Sequence, residues 1–245
     1  MAVPTGADVM LLEGLELGKS YSNSRRRGRR IIFSRVNLRI NRGEIVGLTG
    51  PSGVGKTTLG NVLLGFLPPD LGQVLWQGRD VYHERARLMG DLRPRFQKLF
   101  QDPAGSFYPS QTLFESMAEV VRYHDLAPVG KATRRLIESG LPPLGLDPGI
   151  LERKPHQVSG GEIQRLALAR IGLLRPWFLA ADEPTSRLDL SVQAQVVRLL
   201  ANWSRKHRVG LLFISHDQDL LDHICDRILF LKSGDVDSRA ELVRL

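Results

Sequence analysis

Eight consecutive residues, Gly50-Pro51-Ser52-Gly53-Val54-Gly55-Lys56-Thr57, have the G-x-x-x-x-G-K-[ST] spacing of a phosphate-binding loop. The glycines let backbone N–H groups curl around an anion. Lys56 adds a full positive charge, and the Thr57 hydroxyl suits Mg2+. Far downstream, Trp177-Phe178-Leu179-Ala180-Ala181-Asp182-Glu183 reads as a buried strand ending in two adjacent carboxylates. Side-chain alternation sends the two acids to different places. Asp182 is expected to face the metal beside Thr57, and Glu183 to reach toward a terminal phosphate and polarise a water for in-line attack. A third pattern, Val158-Ser159-Gly160-Gly161-Glu162, opens a helix bearing Ile163, Leu166, Ala167 and Ile171. A serine N-cap before two glycines predicts a second anion-seeking helix end.

These groups need a scaffold. Ile45-Val46-Gly47-Leu48 reads as a buried strand leading into the loop. Leu59, Val62, Leu63, Phe66 and Leu67 line one face of the helix behind it, with Pro68-Pro69 expected to end that helix. Leu11 to Tyr21 and Ile31 to Ile40 read as strands, and Gly72 to Gly78 as a hairpin strand bounded by glycines. Residues 84–157 are more polar, with a helical stretch at Thr133 to Ser139. Strand character returns at Trp177 to Ala181, Val209 to Ser215 and Ile228 to Leu231. Val192, Val196, Leu199, Leu200 and Trp203 line a helix between them. Strands alternating with helices predict an α/β fold with a mostly parallel sheet covered on both faces, interrupted by an insertion.

Bulk properties narrow the function. No apolar run approaches the roughly 18 residues of a membrane span. Met1 to Asp8 lacks the pattern of a secretory signal. One cysteine, Cys225, excludes an internal disulfide framework and fits a reducing compartment, filling core space. The net charge of +8 permits an anionic partner. Its densest cluster, Arg25-Arg26-Arg27-Gly28-Arg29-Arg30, has no interleaved aromatics, so base stacking has little support and no nucleic-acid partner is expected. The six histidines, at 83, 124, 156, 207, 216 and 223, show no metal-ligand spacing.

The order of the phosphate loop at 50–57, the serine-glycine-glycine segment at 159–161 and the acidic strand at 178–183 resembles ATP-binding subunits of ABC transporters. The resemblance covers nearly the whole chain. It implies a P-loop NTPase (RecA-like) core, an antiparallel β subdomain at the N-terminal side and an inserted helical subdomain. It also implies a single domain over 1–245, with core at 1–90 and 173–245 and the helical piece at 91–172. Phe100-Gln101-Asp102-Pro103 resembles the Q-loop, whose glutamine meets Mg2+ and the attacking water. Ser186-Arg187-Leu188-Asp189 resembles the D-loop, and Ile214-Ser215-His216-Asp217 the H-loop, whose histidine contacts the γ-phosphate. Tyr21 stands where the family keeps an aromatic that stacks on adenine.

The resemblance therefore implies an ATPase using ATP and Mg2+ that powers an importer. Glu183, His216 and Gln101 are its catalytic residues, and Thr57, Gln101 and Asp182 its metal ligands. The phosphate loop, Tyr21, Thr58, Ser159, Gly160, Gly161 and Asp189 are its nucleotide contacts. It implies a second ATPase subunit as head-to-tail partner, in a heterodimer. Two transmembrane permease subunits and, indirectly, a solute-binding protein complete the set. Its expected place is the cytoplasmic face of the membrane, with a permease helix docked beside Gln101 to Thr112. The segment from Phe100 to Thr112 partly resembles the peptide and nickel importer branch, although Phe107-Tyr108-Pro109 replaces leucine-asparagine-proline. The end of the chain at Leu245 leans the expectation toward the second ATPase subunit of nickel importers. Val158, Glu162 and Arg187 depart from the usual pattern, Glu162 by adding a charge near a bound phosphate. A soluble ABC-type ATPase acting on nucleic acid or ribosomes would usually carry tandem cassettes or long coiled coils. A P-loop kinase would leave the 159–161 segment and His216 unexplained.

Overall fold

A computed structural model describes residues 10–23, 28–186, 188–232 and 242–244. The chain begins with strands β1 (Met10–Asn23), β2 (Gly28–Asn41) and β3 (Ile45–Thr49), then helix α1 (Lys56–Leu63). Next come β4 (Leu71–Trp76), β5 (Arg79–Asp80), α2 (Arg85–Asp91) and β6 (Phe96–Leu99). Helices α3 (Leu113–Tyr123), α4 (Lys131–Ser139) and α5 (Gly160–Gly172) lead to β7 (Phe178–Asp182) and α6 (Leu190–His207). The chain closes with β8 (Gly210–Ile214), α7 (Gln218–Ile224), β9 (Arg227–Leu231) and β10 (Leu242–Arg244).

Two units emerge: residues 1–98, 177–183 and 204–245 form one, and 99–176 with 184–203 the other. The helical piece expected at 91–172 has other bounds than this second unit. The difference lies partly in β6, a strand of only four residues in a polar stretch. It adds an edge to the sheet instead of opening the insertion.

The first unit holds two sheets. One is antiparallel, in the order β2-β1-β4-β5; the other runs β10-β9-β3-β8-β7-β6, with β9, β3, β8 and β7 parallel. Alternation explains the first sheet: Val36, Leu38 and Ile40 of β2 point inward and are buried. The parallel strands β3, β7 and β8 are buried on both faces and are apolar throughout except where chemistry begins. One core joins the sheets to α1 through Leu59, Val62 and Leu63.

Helix α1 ends earlier than expected. It stops at Leu63, because Gly65 adopts φ 72° and donates its N–H to the Val62 carbonyl, a glycine-terminated helix end. Phe66 therefore leaves the apolar face. It is 45% exposed, with the Arg93 guanidinium 4.2 Å from its ring centre. Trp76 stacks on Phe96 at 4.0 Å and donates its indole N–H to the Leu63 carbonyl, satisfying a helix-end acceptor.

In the second unit, Thr112 and Glu115 form a reciprocal capping box that starts α3. The N–H of Leu113 bonds the Arg153 carbonyl, tying that start to the approach to α5. No helix among the described residues is long and apolar enough to cross a membrane.

Candidate functional site

The loop between β3 and α1 is shaped by its glycines. Gly50, Gly53 and Gly55 have φ of 143°, 73° and 113°, values that side chains resist. A Cβ on Gly50 would come 2.3 Å from the Leu231 carbonyl oxygen, and one on Gly55 2.4 Å from Ile32. Beside Gly53 the space is open. Gly55 is the N-cap of α1, no side chain caps this helix, and its first turn carries no acid. The N–H groups of that turn thus keep their attraction for an anion. Val54 is buried beneath the loop, while Pro51 and Ser52 are exposed. The Lys56 ammonium bends back to donate to the carbonyls of Gly50 at 2.8 Å and Pro51 at 3.1 Å. Thr58 sits half-buried one residue further along.

Parallel pairing of β7 with β8 places Asp182 opposite Ile214 and brings the strand exit to the loop. The Thr57 hydroxyl donates to Asp182 Oδ1 at 3.1 Å, across 125 residues of sequence. Asp182 is only 7% exposed, and Lys98 of β6 pairs with its Oδ2 at 3.0 Å. Glu183 then turns away. Its φ is 43°, a left-handed conformation that costs a non-glycine residue about 1–2 kcal/mol. Its N–H still continues the ladder to the Ile214 carbonyl. The adjacent acids thus separate through strand alternation and a backbone twist together. Glu183 Oε1 lies 3.3 Å from His216 Nδ1, just past the end of β8. The first unit therefore gathers Lys56, Thr57, Asp182, Glu183 and His216.

Tyr21 is 45% exposed on β1, opposite Arg30 of β2. Ile32, which crowds Gly55, lies two residues beyond Arg30, about 7 Å along the strand. The hairpin thus carries an exposed aromatic to the side of the phosphate loop. Of the basic cluster, Arg29 and Arg30 are exposed. Arg25, Arg26 and Arg27 lie outside the described residues, as does Arg187.

The second unit holds Gln101, Ser159, Gly160, Gly161 and Asp189. Gln101 Nε2 donates to Ser186 Oγ at 3.1 Å, joining the Q-loop-like and D-loop-like segments. Asp189 is exposed, and its carbonyl accepts the Gln193 N–H at 2.8 Å at the start of α6. A Cβ on Gly160 would meet Leu188 at 3.0 Å, and one on Gly161 would meet Val192 at 2.8 Å.

Ser159 caps α5, as its sequence predicts, but within a reciprocal box. Its Oγ accepts from the Glu162 N–H, while Glu162 Oε2 accepts from both the N–H and the hydroxyl of Ser159 at 2.8 Å. Hydrogen bonds from the Ser159 backbone, then from its hydroxyl, hold the Glu162 carboxyl below its ordinary pKa. The departure at Glu162 is thus a helix cap. The S-x-x-E spacing carried that signal.

Lys98 escaped sequence reasoning. It lies in the polar stretch 84–157, and nothing local reveals that β6 lies beside β7. Cys225 has its thiol pushed up to about 12 by burial, beside Gly47 of β3.

Mg2+ favours few protein oxygens completed by water and phosphate. Thr57 Oγ1 and Asp182 Oδ1 fit that pattern. No cluster of three or more His, Cys, Asp or Glu gathers into a protein-only cage among the described residues. The uncapped helix end and Lys56 fit a phosphate chain.

The family model described as ABC transporter matches residues 33–186. A putative peptide import ATP-binding protein of Brucella ovis is 40% identical over 203 residues, covering 83% of this chain and 64% of its own length. The oligopeptide transport ATP-binding protein OppF of Salmonella typhimurium is 37% identical, covering 81% of this chain and 60% of that protein. The putative oligopeptide transport ATP-binding protein YkfD of Bacillus subtilis is 38% identical, with 89% and 66% covered. The chain thus spans just under two thirds of the length of these relatives. A dimeric bacterial ABC transporter cassette matches with a TM-score of 0.80 and 25% identity, over 96% of this chain and 97% of that one. A post-hydrolysis dimeric structure of the same cassette with ADP and Pi matches equally, with the same coverage.

Proposed function

We propose that this chain, which belongs to the ABC transporter family, hydrolyses ATP to power an importer of peptides. The observation carrying the reading is the union of an uncapped phosphate loop with the strand-exit acid, Thr57 to Asp182, at 3.1 Å. ATP would lie with its adenine on Tyr21 and its phosphates on the N–H groups from Gly50 to Thr58. Lys56 would exchange its loop carbonyls for phosphate oxygens. Thr57 and Asp182 would hold Mg2+, which when bound neutralises phosphate charge and orients the terminal group.

Glu183 accepts the proton of the attacking water while the water oxygen bonds to the γ-phosphorus and the bond to ADP breaks. His216, beside Glu183 Oε1, steadies that carboxylate and meets the γ-phosphate. The site is completed by Ser159, Gly160 and Gly161 of a second ATPase subunit facing head to tail, with Asp189 at the seam. The dimeric state of that similar cassette, seen in both of its structures, supports this. A heterodimeric partner, two permeases that receive the closing motion beside Gln101 to Thr112, and a peripheral place at the cytoplasmic membrane face follow from the importer reading.

The resemblance read from the sequence leaves nickel and peptides both open as cargo, with a lean toward a nickel-importer type of subunit. The names of these relatives, of peptide import or oligopeptide transport, support peptides as the cargo class. The test is ATP hydrolysis by the chain assembled with its ATPase partner, permeases and solute-binding protein in vesicles. Peptide-loaded receptor should stimulate hydrolysis and nickel should not. Stimulation by nickel alone would reverse the cargo assignment.

A further inference from the structure

Asp182 holds two different bonds, one on each oxygen. Oδ1 accepts from Thr57, while Oδ2 is paired with Lys98 at 3.0 Å. The Lys98 side chain is 8% exposed and its ammonium also donates to Asn61 Oδ1 at 2.9 Å, on the helix that carries Lys56 and Thr57. One ammonium thereby joins β6, β7 and α1. Lys98 shares its strand face with Phe96, which is fully buried and stacked on Trp76. A lysine aimed inward this way is costly unless paired, so its partner defines its place.

That place bears on the nucleotide. A nearly buried carboxylate beside a triphosphate repels it, and repulsion is strong where water is scarce. We infer that Lys98 is a positioning residue and internal counter-cation for Asp182, lowering the repulsion between this acid and ATP before any metal arrives. Lys98 holds Oδ2 and so orients Oδ1 toward Thr57. It also cancels the carboxylate charge, so that the loop accepts metal-free ATP. This inference rests on the nucleotide-site reading above.

The test compares ATP dissociation constants in EDTA and in Mg2+ for the full chain, by calorimetry, without turnover. Lys98→Met should raise the ratio of the EDTA value to the Mg2+ value at least about tenfold over wild type, as one uncompensated charge at close range implies. Lys98→Gln, which keeps a hydrogen-bonding side chain, should raise it similarly and serves if Lys98→Met folds poorly. Lys98→Arg should keep it within about threefold of wild type, since the charge remains. A merely structural lysine would weaken folding without moving the ratio. Wild-type ATP binding together with an unchanged ratio in Lys98→Met or Lys98→Gln overturns the inference and leaves the nucleotide site standing. Wild-type protein that binds no ATP in either buffer overturns both.

Discussion

The N-termini of α1 and α5 are both glycine-flanked helix ends, yet the chain finishes them differently. At α1 the cap is Gly55 in a left-handed conformation, no side chain closes the turn, and the nearest cation is tucked against the loop. At α5 the cap is Ser159, whose hydroxyl and N–H are both engaged by Glu162 of the same helix. The first end is preorganised for a ligand, because its donors have no internal competitor. The second is already satisfied in part. An anion arriving there meets Gly160 and Gly161 first and must draw Ser159 away from its own carboxylate.

The largest expected effect lies beside the first end. Glu183→Gln should keep ATP binding, since Thr57, Lys56 and Asp182 are untouched, yet lower turnover in the assembled transporter about 10²–10⁴-fold. Normal steady-state hydrolysis by this variant would remove Glu183 from the mechanism. Next comes Tyr21→Ala, expected to weaken ATP binding by about 1–3 kcal/mol if the ring stacks on adenine as aromatics do on bases. An unchanged dissociation constant would make Tyr21 a strand residue only.

The smallest effect sharpens the second end. Glu162→Gln should cost roughly 0.5–1 kcal/mol of stability at neutral pH, the low range for a helix cap, because the pair is near solvent and screened. The Ser159 bonds hold the carboxyl of Glu162 below its unfolded value. Its stabilisation is therefore complete above the unfolded pKa, about 4.3, and is lost as pH falls through the lower folded value. Urea unfolding of wild type and variant should differ at pH 7 and converge under acid. A difference that persists in acid would mean the carboxylate charge contributes nothing to the cap.

The sequence made one end far more legible than the other. Residues 50–57 form a local pattern, and their strand and helix follow from adjacent periodicity. Glu162 was equally local, but its position beside an anion-seeking segment drew attention to its charge over its spacing. The end of α1 was misjudged because Pro68-Pro69 is a louder breaker than Gly65, which acts first. Lys98 was out of reach. Its meaning depends on Asn61 and Asp182, 37 and 84 residues away, and on β6 lying at the edge beside β7. No periodicity within four residues can report such a pairing.

The claim that the two helix ends serve different nucleotides is tested most directly by ATP affinity of the isolated chain. Lys56→Ala, which removes the cation of the bare end, should weaken binding about tenfold or more, as loss of charge-assisted hydrogen bonds does. Ser159→Arg should leave the dissociation constant within about twofold of wild type, a change near the noise in free energy. If Ser159→Arg loses affinity as severely as Lys56→Ala, the capped end acts on the chain's own nucleotide, and the head-to-tail account is wrong.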